Sequence, residues 1–250
     1  MDILLTNDDG IYSQGLYAIY KSLRGIANIH VVAPEAEQSA VAHAITMSDP
    51  LRVKRIKLKD GCFGYAVSGT PADCVKIAVR SILRKRPDLV VSGINLGPNT
   101  GFSVLYSGTV SGATEGAILG IPSFAVSLGT FENPDFRFAA VFARKLANVI
   151  SGKRLPRGTF LNVNVPACHS SQIRGIKFTE QGLTPILERY DRRVDPRKHV
   201  YYWLTGEVIK LQGALNSDIM ALKKRYISIT PLHCDMTDHR FLDPLKKWSI

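Results

Sequence analysis

Two adjacent carboxylates near the amino terminus are the first residues whose types and spacing could do chemistry. Asp8 and Asp9 follow the apolar run ILLT and Asn7, and Gly10 comes directly after them. Neighbouring side chains on a strand point to opposite faces, but a chain that has left its strand at Asn7 and turns at Gly10 can bring both carboxylates together. A divalent cation would turn their repulsion into shared coordination. The alternative is a turn with a helix cap, where aspartate is also common.

Two later segments offer further oxygen ligands. Ser39 lies in APEAEQSAVAHAIT, and Asn95 lies at the end of DLVVSGIN. If both loops end at the edge of the sheet that carries the aspartates, a hydroxyl and an amide oxygen could complete the coordination. Spacing alone leaves the role of Ser39 open. Ligands that are all oxygen favour Mg²⁺ or Mn²⁺ over zinc.

The glycine-rich segment GINLGPNTGFSVLYSGTVSG is a candidate for binding phosphate. Gly97 and Gly101 would let backbone amides approach an anion, and the helix predicted to follow offers its amino terminus. An ordinary capped helix after a long loop is the alternative. The segment does not match the GxxxxGK[ST] phosphate loop. The residues expected to bind phosphate are Asn99, Ser107, Gly108 and Thr109.

The elements that must position these residues alternate between strands and helices over the first 130 residues. DILLTN, NIHVVAP and DLVVSGIN predict buried strands, and GLYAIYKSLRGI has apolar residues at helical spacing. This alternation predicts an α/β fold with a mostly parallel sheet covered on both faces. Ligands of such sheets bind beyond the carboxyl ends of the strands, which is where the candidate loops begin.

Two helices can be predicted in more detail. TPADCVKIAVRSILRK begins with Thr70 as a good N-cap, Pro71 at the first helical position and Asp73 in the first turn. TVSGATEGAILG carries a glycine at every fourth position, which predicts a smooth stripe that packs closely against the sheet. Glycine is unfavourable in a helix by about 1 kcal/mol relative to alanine, so close packing must compensate.

The strand and helix alternation weakens after TFLNVNVP, and from about residue 180 the chain becomes more basic and richer in tyrosine. We expect residues 1–180 to form the catalytic domain. Residues 181–250 are expected to form a smaller carboxyl-terminal extension, with a hairpin and a tail, that suits subunit contacts.

Composition sets wider limits on function. A chain of 250 residues with 45% hydrophobic content can bury a full core. The opening residues lack the pattern of a signal peptide and no apolar run is long enough to cross a membrane, so a cytoplasmic protein is expected. The net charge of +11 would attract phosphorylated molecules or polyphosphate, although no motif indicates a dedicated nucleic-acid reader. The four cysteines form no CxxC pair and are expected to be reduced. They are Cys62, Cys74, Cys168 and Cys234.

Four blocks, in this order, resemble the SurE (survival protein E) family of nucleotidases: ILLTNDDGI, VSGTPADCVKIA, PDLVVSGINLGPNTG and YSGTVSGATEGAILGIPSFAVS. The resemblance covers about the first 130 residues and continues more weakly to the end. It implies a Rossmann-like fold whose carboxyl-terminal part is exchanged between the subunits of a homodimer or homotetramer. It also implies a metal-dependent phosphatase acting on nucleoside 5′- and 3′-monophosphates, and some members of the family trim short polyphosphate.

Carried over to this chain, the resemblance implies one divalent cation per subunit. Its ligands would be Asp8, Asp9, Ser39 and Asn95. The phosphate pocket would draw on Asn99, Ser107, Gly108 and Thr109. Asp8 and Asp9 would be the catalytic residues, and two routes stay open: a water held by the metal attacks phosphorus, or Asp8 attacks and forms an aspartyl phosphate.

Two alternatives compete with this interpretation. A phosphatase of the haloacid-dehalogenase type needs a nucleophilic aspartate where this chain has Asn7. A non-enzymatic, basic nucleotide-binding module would not need the set of oxygen ligands. Among the neighbouring residues, His43 could approach the substrate, Glu115 is expected to be a buried hydrogen-bond partner, and Tyr12 and Phe102 could either stack on a nucleobase or pack in the protein.

Overall fold

The computed structural model describes residues 1–153, 155–183, 187–207 and 214–248. The strands within these ranges are β1 (Asp2–Thr6), β2 (Asn28–Pro34), β3 (Val53–Lys57), β4 (Phe63–Val67), β5 (Leu89–Leu96), β6 (Ser123–Leu128), β7 (Thr159–Val165), β8 (Ile176–Phe178), β9 (Leu187–Val194), β10 (Val200–Glu207) and β11 (Ile227–His233). The α-helices are α1 (Gln14–Leu23), α2 (Pro71–Ile77), α3 (Ser103–Tyr106), α4 (Gly108–Ile118), α5 (Arg137–Ser151), α6 (Asp218–Lys223) and α7 (Leu242–Leu245).

Nine of the described strands form one sheet in the order β3-β4-β2-β1-β5-β6-β7-β11-β8. The strands from β4 to β7 in this order are all parallel to their neighbours, whereas β3 and β11 pair in an antiparallel sense with β4 and β7. The predicted α/β fold with a mostly parallel sheet is therefore confirmed. The chain proceeds from β1 to β2 on one side and later places β5 on the other. The point where the strand order reverses lies between β1 and β5, which is where ligands bind in such folds.

Helices cover both faces of the sheet. Ile3 and Leu5 of β1 belong to a large apolar cluster with buried residues of α1 and α5. Leu4, which points the other way, belongs to a second cluster with Cys74 and Val75 of α2. A third cluster lies beneath α4 and includes Val110 and other buried side chains. The prediction that the sheet is covered on both faces, giving three layers, is thus confirmed.

The predicted start of α2 is confirmed, but its end differs from the prediction. The Thr70 hydroxyl accepts a hydrogen bond from the Asp73 amide at 3.2 Å, and the Thr70 amide donates to the Asp73 carboxylate at 3.0 Å, forming a capping box. The segment that predicted this helix, TPADCVKIAVRSILRK, extends to Lys85. Instead a π-helical turn over Ala78–Ile82 ends it, closed by a 2.9 Å bond from the Leu83 amide to the Ala78 carbonyl.

The segment after residue 180 both leaves the main sheet and returns to it. β9 and β10 form a separate antiparallel hairpin whose tyrosines and Trp203 are exposed. β11 then inserts between β7 and β8, so the main sheet includes residues on both sides of position 180.

None of the helices in the described ranges is long and apolar enough to cross a membrane. All four cysteines are free thiols, as expected.

The glycine stripe of α4 lies against the sheet as predicted. A Cβ built on Gly112 would be 2.7 Å from the Ser92 hydroxyl oxygen, and one built on Gly116 would be 2.9 Å from the Ser123 Cβ and 3.0 Å from the Val90 Cβ. Real Cβ atoms do not approach other atoms this closely. The stripe therefore sets the distance between α4 and strands β5 and β6.

We predict that Gly116→Ala destabilises the protein even though alanine favours helix. The new methyl group meets Cβ atoms that are fixed to the backbone, and overpacking of this kind costs about 1–3 kcal/mol, more than the gain in helix propensity of about 1 kcal/mol. Gly25→Ala is the control, because nothing lies within 4 Å of a Cβ at that position. Urea unfolding measures both. Equal midpoints for Gly116→Ala and the wild type would contradict the tight contact between helix and sheet.

Candidate metal and phosphate site

The two aspartates lie where the chain turns away from β1. β1 ends at Thr6, and Gly10 has a φ of 93°, which an L-residue rarely adopts. The Ile11 amide then donates to the Pro34 carbonyl at 2.9 Å, fixing the turn beside the end of β2. Asp8 is buried and Asp9 is partly buried. The turn inferred from the sequence is therefore present and holds both carboxylates at the carboxyl edge of the sheet.

The first turn of α4 holds Asp8. The Thr109 amide donates to one Asp8 carboxylate oxygen at 3.0 Å, and the Thr109 hydroxyl donates to the other. A Cβ built on Gly108 would lie 2.8 Å from the Asp8 Cβ, so only glycine allows this approach. The amino terminus of a helix favours negative charge. The structure thus brings Asp8 together with two of the predicted phosphate-binding residues, Gly108 and Thr109.

Burial raises the pKa of both aspartates, and the negative charge of Asp8 adds to the effect on Asp9. Burial, followed by the negative charge of Asp8, raises the pKa of Asp9 to about 7, although a hydrogen bond from the Leu96 amide lowers it. Burial also raises the pKa of Asp8, against the lowering effect of the hydrogen bonds from Thr109. The raised pKa values mean that two negative charges side by side are unfavourable here. A bound cation would offset that repulsion.

Asn95 lies at the end of β5, on the strand next to β1. Its side-chain nitrogen donates to the Gly97 carbonyl at 2.8 Å, so its side-chain oxygen is the atom that could ligate a cation. The next residue, Leu96, donates its amide to Asp9. Asn95 at the end of β5 and Asp9 just beyond the end of β1 therefore lie at the same edge of the sheet, as the sequence predicted.

The loop after β2 brings Ser39 to the site but turns its hydroxyl elsewhere. The Gln38 amide donates to the Asp8 carbonyl at 2.7 Å, so the loop passes directly beside Asp8. Ser39 is exposed, and its hydroxyl donates to a Glu37 carboxylate oxygen at 2.5 Å. The negative charge of Glu37 also raises the pKa of both aspartates, so this carboxylate belongs to the site. The sequence analysis missed Glu37, whose position two residues before Ser39 was the available signal.

Asn99 is held from the neighbouring strands. Its amide donates to the Asn164 side-chain oxygen at 2.8 Å, and its own side-chain nitrogen donates to the Ser127 hydroxyl at 2.9 Å. Its carbonyl accepts bonds from Asn162 at 2.8 Å and Asn164 at 3.0 Å. Asn162 and Asn164 were also missed. Their spacing of two on β7 places both on one face of the sheet and was the signal in the sequence.

Two further contacts fix the loop between Asn99 and α4. The Asp218 carboxylate accepts the Gly101 amide at 2.9 Å and the Gly182 amide at 2.9 Å, and it is completely buried. Burial raises the pKa of Asp218 while these backbone bonds lower it. Ser107 caps α4 by accepting the Val110 amide at 3.1 Å. Asp218, more than 100 residues from the loop it supports, could not have been assigned this role from the sequence.

His43 and Glu115 do not lie among the candidate ligands. The His43 Nε2 lies 3.0 Å from one Glu115 carboxylate oxygen, and the Lys76 Nζ lies 2.7 Å from the other. Burial would raise the pKa of Glu115, but the hydrogen bonds from His43 and Lys76 hold it below its usual range. Glu115 is thus the buried hydrogen-bond partner that the sequence analysis expected. Tyr12 is exposed and Phe102 is partly buried.

The donor set fits a hard divalent cation. Two carboxylates, from Asp8 and Asp9, and the amide oxygen of Asn95 come from adjacent strand ends, and all are oxygen ligands of the kind that Mg²⁺ and Mn²⁺ prefer. In the ranges that the structure describes, no group of three or more His, Cys, Asp or Glu side chains is arranged to hold a metal ion. A cation here would therefore depend on neutral oxygen ligands as well as on the two aspartates.

We predict that Asp9→Asn stabilises the metal-free protein at high pH. Because the folded pKa of about 7 lies above the ordinary value of 3.8, Asp9 increasingly destabilises the fold as pH rises from about 4 to 7. In EDTA, the variant should exceed the wild type by about 1–3 kcal/mol at pH 8 and by less at pH 4.5. Denaturant unfolding at both pH values measures this. Asp49→Asn, at an exposed carboxylate, is the charge-matched control. A wild type that is as stable as Asp9→Asn at pH 8 would contradict the electrostatic account.

Comparison with known proteins shows which family this chain resembles. The family described as Survival protein SurE matches residues 3–187. The 5′-nucleotidase SurE of Syntrophobacter fumaroxidans is 51% identical over 250 residues, covering 100% of both chains. The 5′-nucleotidase SurE of Syntrophus aciditrophicus is 55% identical over 248 residues, covering 98% of this chain and 93% of the relative.

A solved structure shares the fold over nearly the whole chain. The crystal structure of the SurE protein from Aquifex aeolicus superposes with a TM-score of 0.86 at 40% identity and covers 98% of each chain. The resemblance seen in the four sequence blocks is thus confirmed by similarity over the full length. On the match of the family profile, the full-length relatives and the shared fold, this chain belongs to the SurE family.

Proposed function

We propose that this chain is a metal-dependent phosphomonoesterase that hydrolyses nucleoside 5′- and 3′-monophosphates to nucleoside and phosphate. The observation that carries the proposal is the contact between Asp8 and the first turn of α4. This contact places a group suited to a cation directly beside a helix start suited to an anion, as the hydrolysis of a phosphate ester requires. The relatives named 5′-nucleotidase SurE support the same activity.

We assign the cation to Asp8, Asp9 and Asn95, with Ser39 as the fourth ligand after its hydroxyl rotates away from Glu37. One Mg²⁺ or Mn²⁺ per subunit, when bound, would neutralise charge on a phosphate oxygen and lower the pKa of a bound water. The protein must meet two requirements at the proposed cation site. It must supply the carboxylates, and it must keep them close together despite their repulsion.

The phosphate would lie against Ser107, Gly108 and Thr109, with Asn99 opposite them. At the start of α4 the Thr109 amide is engaged by Asp8 and the Val110 amide by the Ser107 hydroxyl. The phosphate would therefore draw on the Gly108 amide and on the positive end of the helix dipole for negative charge that develops on its oxygens. Asn99 is held at both its backbone and its side chain by neighbouring strands, which fixes its orientation. Donors that are already oriented lose little free energy to reorganisation during the reaction.

Thr109 also bears on the choice of nucleophile. Both carboxylate oxygens of Asp8 accept hydrogen bonds from Thr109. A carboxylate whose two oxygens are engaged by donors is a weaker nucleophile than a free one, so this geometry favours water over Asp8 as the attacking group. In this scheme Asp8 and Asp9 are catalytic because they position the reacting groups.

The remaining parts of the proposal concern partners and location. The net charge of +11 favours anionic substrates, so we include short polyphosphate among them. We propose that residues 1–180 supply the catalytic site and that residues 181–250, through the exposed β9–β10 hairpin and the tail, exchange between the subunits of a homodimer or homotetramer. The cytoplasm stays the expected compartment.

The decisive assay is phosphate release from a panel of nucleoside 5′- and 3′-monophosphates and short polyphosphate, with Mn²⁺, Mg²⁺ or EDTA. We expect turnover of the monophosphates with either metal, none in EDTA, and a loss of at least about 100-fold in kcat for Asp9→Asn. Asp49→Asn, which removes an exposed carboxylate outside the site, should keep full activity. Turnover that is independent of metal, or an unimpaired Asp9→Asn enzyme, would overturn the proposal. Nucleotide binding without hydrolysis would instead favour a binding module.

A further inference from the structure

The loop that carries Ser39 is fastened to α4 and α2 by residues outside the candidate site. We define the site loop as residues 35–46, which connect the end of β2 to the chain before β3. We propose that His43 and Glu115 are positioning residues whose contact holds this loop, and with it Ser39, beside Asp8. The inference rests on the proposed function, because it concerns how the proposed cation ligands are kept in place.

The site loop runs along α4 from the amino terminus of the helix toward its carboxyl end. It begins beside Asp8, where the Gln38 amide donates to the Asp8 carbonyl at 2.7 Å. One helical turn into α4, the Ser111 hydroxyl oxygen lies 2.7 Å from the Ala42 carbonyl and also 2.7 Å from the Ser107 carbonyl, with one proton to share between them. One turn further, Glu115 accepts the bond from His43 at 3.0 Å. The loop is therefore fastened at successive turns, and the contact to Glu115 is the farthest from the site.

This geometry places the contact of His43 away from the start of α4. Glu115 is eight residues beyond the Ser107 cap, which corresponds to about 12 Å along the helix. The His43 ring is bonded to Glu115 at that level of the helix, whereas the proposed phosphate lies at the helix start. His43 therefore acts on the site through the loop.

The backbone between Ser39 and His43 needs such a fastening. Ala40 and Ala42 have φ values of 56° and 53°. This left-handed conformation is unfavourable for alanine, because its Cβ approaches the following carbonyl. The loop would relax toward ordinary backbone angles if it were free, and Ser39 would move with it. Contacts on the far side of the two alanines oppose that relaxation.

Glu115 is well suited to anchor the loop. Its side chain is 3% exposed, and it is held from the other side by Lys76 of α2 at 2.7 Å. The site loop also bonds α2 directly, since the Thr46 amide donates to Asp73 at 3.0 Å. Lys76 contacts the same carboxylate as His43 but lies on α2, outside the loop. It therefore provides a matched control that perturbs the anchor while leaving the loop attached.

The test compares His43→Ala, His43→Gln and Lys76→Met with the wild type. Titration calorimetry with Mn²⁺ in the absence of substrate measures the cation site, thermal unfolding in EDTA measures the fold, and kinetics with a nucleoside monophosphate give kcat and KM. We expect His43→Ala to weaken Mn²⁺ binding about 10- to 100-fold, in the range seen when outer residues of metal sites are removed. His43→Gln, which can still donate to Glu115, should recover most of the affinity. Lys76→Met should bind Mn²⁺ within about threefold of the wild type.

The outcomes separate this inference from the proposed function. If His43→Ala lowers the unfolding temperature but binds Mn²⁺ like the wild type, the contact only stabilises the fold and the inference is wrong. If Lys76→Met loses as much Mn²⁺ affinity as His43→Ala, the effect does not pass through the loop and the inference is also wrong. A wild type that binds no Mn²⁺ and releases no phosphate would overturn the proposed function, and the inference with it.

Discussion

The candidate site depends on one contact, in which the buried Asp8 carboxylate accepts hydrogen bonds from Thr109 in the first turn of α4. A buried carboxylate without such donors would be costly, and here a second one, Asp9, lies next to it. The helix start compensates the burial of Asp8 only in part, so the pKa of Asp8 stays above its ordinary value, and the pKa of Asp9 is raised to about 7. This residual imbalance makes the edge of the sheet a place where a cation would bind favourably.

The packing of the rest of the structure holds the start of α4 next to Asp8. Gly112 and Gly116 let α4 lie directly on β5 and β6, and Gly108 removes the side chain that would otherwise push the helix start away from Asp8. The sheet order places β1 beside β5, so Asp9 and Asn95 emerge next to each other. Asp218 and the asparagines of β7 then fix the loop that leads into α4. The main sheet, including β11, thus supports a site made of loop residues and of residues at the ends of β5 and α4.

Local features were predictable, and features created by distant contacts were not. The turn at Gly10, the cap at Thr70 and the glycine stripe depend on residues close in sequence, so their patterns are visible in the chain itself. Asn164 and Asp218 gain their roles only because the fold brings β7 and α6 to the loop around Asn99 and Gly101. The role of Ser39 was predictable only in part, for the same reason. Its loop lies where the sequence indicated, but the direction of its hydroxyl depends on Glu37.

The central claim is that Asp8 and Asp9 share a cation beside the start of α4, and locating that cation tests it most directly. Anomalous diffraction from crystals grown with Mn²⁺ would give the position of the metal without reliance on activity. We expect one Mn²⁺ per chain, within about 2.5 Å of carboxylate oxygens of both aspartates and near the Asn95 side chain. A Mn²⁺ bound at other acidic groups, or full binding of Mn²⁺ with the two aspartates uncoordinated, would contradict it.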